Sequence, residues 1–178
     1  MKPKIYILAS AALAFVLTFP VLRASAASGS SGEVAKSMQQ AKEAAYQLSV
    51  TADRLEAITR NGGHSWQSHS VYLNSAREDV NQLGKMLSNL ETLKPLASPT
   101  EQMGIDRMRP HLVQTADSLT QAIELLNDRR HHVYFPEYGD AVENVSQQAT
   151  SMHQTLDAVL NYESAKARID SLELSAGS

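Results

Sequence analysis

Six histidines stand at positions 64, 69, 111, 131, 132 and 153, and a neutral imidazole suits zinc, copper or nickel better than it suits hard cations. No glutamate precedes any of them by three residues, so the ligand pattern of di-iron helical bundles is missing; Asn61, Trp66, Met108, Asp128, Arg129 and Thr150 hold those places. The chain contains no cysteine, which removes thiolate catalysis, iron–sulfur and thiolate-zinc sites, and disulfide frameworks. His-Glu-x-x-His, Gly-x-Ser-x-Gly and phosphate-binding glycine loops are absent from the sequence as well. His153 and Asp157, one helical turn apart, could share a metal or a proton, although such pairs are usually plain surface contacts. The acidic residues are scattered singly, with no pair of carboxylates set for acid–base work. The expectation is therefore no enzyme and no resident cofactor.

Two short segments, 61–72 and 130–140, hold most of the remaining chemistry. They contain Trp66, Tyr72, Tyr134, Phe135 and Tyr138, together with His64, His69, His131 and His132. Amphipathic aromatic side chains bury area while keeping a polar handle, and imidazoles titrate close to neutral pH, so such a cluster fits recognition of a partner. As a metal site, His69 would pair with one of the adjacent His131 and His132, which point in different directions on an extended chain. His64 would stand nearby, and Glu137 or Asp140 could complete the shell around zinc or copper. The bland alternative is that the aromatics merely close one end of a core.

The elements that must bring these segments together are readable from period and punctuation. Lys2 and Lys4, an apolar run from Ile5 to Leu22, and Ala24-Ser25-Ala26 follow the order of a secretory signal peptide, giving a signal over residues 1–26. Residues 27–32 are small and polar and read as a flexible tether. Steps of three and four then recur through Val34, Met38, Ala41, Ala45, Leu48, Ala52 and Leu55 until Asn61-Gly62-Gly63 interrupts them. A second stripe joins Trp66, His69, Leu73, Ala76, Val80, Leu83, Leu87 and Leu90 and stops at Lys94-Pro95. Ser98-Pro99-Thr100-Glu101 is a capping box that starts a third, with Gly104 and Pro110 as blemishes and a kink or broken turn expected at the proline. A fourth runs through Val142, Val145, Ala149, Met152, Leu156 and Val159. It continues as Tyr162, Ala165, Ile169 and Leu172 after one step of three where four was due, which shifts its apolar face.

These stripes predict an all-α protein, an antiparallel up-down-up-down four-helix bundle over residues 33–174, with helices at about 33–60, 65–94, 99–130 and 138–173. Its core should include Leu48, Leu55, Leu73, Leu83, Leu87, Leu119 and Leu156. The two His-rich and aromatic segments would then share one end of the bundle and form a recognition tip. Loss of residues 1–26 removes Lys2, Lys4 and Arg23 and moves the formal net charge from −3 to −6, which disfavours nucleic acid and anionic lipid as partners. The sequence thus reads as a periplasmic or secreted binding module without a membrane span in the mature chain, meeting a protein partner or a second copy of itself. A small-ligand or transition-metal binder using the His-rich end is the alternative. The layout is similar to four-helix periplasmic modules in architecture alone, and the likeness reaches no motif.

Overall fold

The computed structural model describes residues 24–62, 64–129 and 134–177. Four long helices make up nearly all of it: α1 (Ala24–Asn61), α2 (Trp66–Leu93), α3 (Pro99–Asp128) and α4 (Pro136–Ala176), with a 3-10 turn at Lys94–Leu96 between α2 and α3. No strand occurs among the described residues, and no helix there is long and apolar enough to cross a membrane. Most of residues 1–26, including the apolar run of the expected signal, lie outside the described residues. Residues 27–32, expected as a tether, belong instead to the first turns of α1. The alanines around them favour helix, and an isolated glycine such as Gly32 costs a helix only about 1 kcal/mol.

Each helix packs on two neighbours, α1 on α2 and α4, and α3 on α2 and α4. The seam between them is the stripe read from the sequence, since all seven leucines expected in the core are buried. Polar contacts line the helix boundaries. Lys42 Nζ donates to Asp157 Oδ1 at 3.1 Å and Ser146 Oγ to Asp53 Oδ1 at 2.7 Å. Thr51 Oγ1 donates to Asp79 at 3.3 Å, and Lys94 and Arg109 pair with Asp106 and Glu91.

α3 starts as expected. Ser98 Oγ accepts from Glu101 N at 3.1 Å while Glu101 accepts from Ser98 N at 2.8 Å, which satisfies two of the donors a helix start leaves open. The same Ser98 hydroxyl donates to Glu163 of α4 at 2.7 Å. Of the kink or broken turn expected at Pro110, the broken turn does not occur, and α3 runs continuously through it. Pro110 and Asp106 lie on the exposed face, so the carbonyl that loses its helical donor can turn to water. Gly104 is a close-approach site rather than a flaw. A Cβ added there would stand 2.9 Å from Val159 Cγ2 and 3.0 Å from Met38 Cε, so glycine lets α3 approach α4 and α1 closely.

A pinned aromatic tip over a buried histidine

α1 ends at Asn61, and Gly62 follows with φ of +64°, a left-handed conformation that glycine adopts without strain. Four residues later the chain re-enters helix at Trp66. Ser65 has extended backbone, and its carbonyl accepts from Ser68 N at 3.0 Å and His69 N at 3.4 Å. α4 begins in a similar way: Phe135 is extended, Pro136 occupies the first helical turn, and the Phe135 carbonyl accepts from Tyr138 N and Gly139 N, each at 3.2 Å. Proline suits this position because its missing N–H would have had no helical acceptor.

The two turns are joined by one side chain. Tyr134 Oη accepts from His64 N at 2.6 Å and donates to His64 O at 2.8 Å, so a single phenol satisfies both backbone groups of a residue far away in sequence. Tyr134 itself remains 46% exposed. From the α3 side, the Arg129 guanidinium lies 4.7 Å from the centre of the Phe135 ring, within cation–π range.

Beneath this lid His69 and Tyr138 are both fully buried. His69 Nδ1 is 3.0 Å from Tyr138 Oη, and their ring centres are 5.5 Å apart. Tyr134 meets the imidazole edge-on at 6.0 Å. The Thr59 hydroxyl, near the Tyr138 phenol, donates to Leu55 O at 2.7 Å. Because the buried Nε2 has no hydrogen-bond partner among the described residues, the favoured tautomer places the proton on Nδ1, which donates to Tyr138 Oη, and leaves an unpaired lone pair rather than a costlier unpaired N–H. Burial, and then the neighbouring His64, hold the His69 imidazole below its ordinary range. Burial likewise pushes the Tyr138 phenol upward, against the Thr59 hydrogen bond.

The structure divides the expected site residues into three groups. Tyr134 is exposed, while Trp66, Tyr72 and Phe135 are partly buried against the core. Tyr138, expected to face a partner, is instead interior and supports the tip from below, because it continues the buried face of Ala141, Val142 and Val145 back by one turn. Of the expected metal ligands, His69 is committed at Nδ1 to Tyr138, and His64 engages Tyr134 through its backbone. His131 and His132 lie outside the described residues. No group of three or more His, Asp or Glu suited to one ion occurs among the described residues. His153 and Asp157 do not serve each other: His153 Nδ1 faces Lys42 O at 3.3 Å, while Asp157 takes Lys42 and Asn161. Thr59 was not legible as part of the site. Its only sequence signal is its place in the last turn of α1, beside the tip.

The buried imidazole predicts an acid-side loss of stability. With the folded-state pKa lowered, the unfolded chain takes up this proton first as pH falls below about 6.5. The His69 contribution is therefore complete above that pH and declines as pH drops toward the folded-state value. Urea unfolding at pH 7.5, 6.5 and 5.5 should show the fall, and His69→Phe should flatten it. Equal pH slopes in the two proteins would contradict this.

Comparison with protein-family models, with curated proteins and with solved structures returns no match.

Proposed function

We propose that this chain is an exported, non-enzymatic interaction module, an antiparallel up-down-up-down bundle whose recognition tip is formed by the 61–72 and 130–140 segments and meets a protein partner. The observation that carries this reading is Tyr134, exposed yet fixed by two hydrogen bonds to His64. An aromatic held in place before contact gives up little freedom on binding, the economy that makes rigid tyrosines effective at interfaces. The antiparallel order is supported by contact partners whose numbers rise along α1 as they fall along α4, Lys42 with Asp157 and Asp53 with Ser146. Export to the periplasm or outside the cell rests on the charged, apolar and small-residue order of residues 1–26.

Site-specific photocrosslinking in the native cells tests the reading. A crosslinking residue in place of Phe135 should yield one discrete adduct with a second protein, and the same residue in place of Val113, exposed on the flank of α3, should not. The same adduct from both positions, or none from Phe135, would overturn it.

One observation favours a second reading, as a zinc or copper binder: the buried His69 Nε2 without a partner among the described residues. Calorimetry with each metal, on the wild type and on His69→Phe, separates the two. Loss of binding in the variant would favour the metal reading, and equal weak heats would dismiss it.

A further inference from the structure

The last buried residue of α4 is Leu156, yet the helix continues to Ala176, about 30 Å farther at 1.5 Å per residue. Beyond Asn161 every described residue except Glu163 is exposed. Along this overhang Tyr162, Ala165, Ile169 and Leu172 keep a spacing of three, four and three, the repeat of a coiled-coil seam. Tyr162, Ile169 and Leu172 are 55%, 56% and 66% exposed. The seam does not point where the bundle core would continue. The four-residue step due after Val159 falls on Glu163, whose carboxylate accepts from Ser98, and the apolar stripe sits one residue earlier. One residue is about 100° of helix rotation, so the stripe is turned off the α4 core face. Tyr162 borders a groove between α3 and α4 where Met103, Ala158 and Val159 stand among polar side chains, and Met103 is exposed, so apolar surface beside Tyr162 reaches onto the bundle.

We propose that this overhang pairs with the same segment of a second copy, side by side and parallel. This inference is independent of the reading of the tip. The charge pattern selects the occupant and its direction. With Tyr162 and Ile169 at the a positions and Ala165 and Leu172 at d, Arg168 is at g and Glu173 at the following e. In a parallel pair Arg168 of each copy meets Glu173 of the other, giving two attractive contacts by symmetry. An antiparallel pair that stacks all four layers brings Lys166 against Lys166 and Arg168 against Arg168, which repel. Ile169 at a with Leu172 at d is also the combination that favours two parallel strands. A helix end this short is marginal by itself in water, and a seam shared with a second copy, widened by Tyr162 and Met103, supplies the missing burial.

The test uses the full chain. Sedimentation over a range of concentrations should give a mass that rises to twice that of one chain. Ile169→Asp with Leu172→Asp should hold it at one chain without changing the thermal unfolding of the bundle measured at a concentration where wild type is a single chain. Arg168→Glu should weaken association roughly tenfold, and adding Glu173→Arg should restore it, as two exchanged ion pairs require. Because the chain has no cysteine, Leu172→Cys gives a clean reading of direction. A parallel pair sets the two sulfurs side by side and oxidises to a covalent dimer, whereas the antiparallel pair separates them by about 15 Å at 1.5 Å per residue. A single-chain mass at every concentration, association that survives both aspartates, or a Leu172→Cys chain that stays uncrosslinked would overturn the proposal. Binding of the wild type to phospholipid vesicles in place of self-association would overturn it too.

Discussion

Tyr138→Ala is expected to lower the unfolding free energy by about 3 to 5 kcal/mol, the range for truncating a buried aromatic side chain. Tyr138 heads the large side chains that are fully buried, and its ring lies against His69 and, at 5.9 Å between centres, Phe135. Its hydroxyl is also the partner of His69 Nδ1 at 3.0 Å, so truncation leaves the imidazole Nδ1 without its acceptor inside the core. Tyr138→Phe separates the two effects. It keeps the packing and removes the hydroxyl, and should cost about 1 to 3 kcal/mol, the desolvation penalty of an unpaired buried donor. Urea titration of both variants at pH 7.5 measures the difference. A loss near zero for phenylalanine would mean that the phenol hydroxyl carries nothing, equal losses would mean that the ring packing carries nothing, and a loss below about 0.5 kcal/mol for alanine would mean that Tyr138 is not interior.

Leu83→Ala should cost about 2 to 5 kcal/mol, because Leu83 is fully buried midway along α2 and its removal leaves a cavity that rigid helices refill only in part. Leu96→Ala provides the contrast. Leu96 sits in the 3-10 turn and is about half exposed, so its truncation should stay within about 0.5 kcal/mol. Similar midpoint shifts for the two leucines would remove the seam as the source of stability.

The helices were legible because their apolar residues recur in steps that only a helix places on one face, and because Ser98-Pro99-Thr100-Glu101 and Asn61-Gly62-Gly63 punctuate them chemically. Pro110 does not interrupt α3, a point that sequence alone leaves open because it does not say which face the proline occupies, and on a solvent face the unpaired carbonyl is cheap. Gly104 likewise looked like a defect until the approach of Val159 and Met38 gave it a reason. At the tip, the gathering of aromatics and histidines was legible but their division of labour was not. His69 stood openly on the second stripe. Tyr138 lies four residues before Val142 and was on the fourth stripe as well, but its loop neighbours Tyr134 and Phe135 made it read as surface. The Tyr134 bond to the His64 backbone had no sequence signal, since a backbone acceptor can be any residue.

The central structural claim is that a neutral, buried His69, protonated at Nδ1 and bonded to Tyr138, underpins the tip. Nitrogen NMR of the imidazole rings, followed from pH 8 to pH 5, tests it most directly. The account predicts one histidine whose Nδ1 is protonated and whose Nε2 is bare, which takes up its second proton below the ordinary imidazole value and disappears from the spectrum in His69→Phe. A His69 ring that samples both tautomers and titrates near the model value of about 6.5 would contradict it.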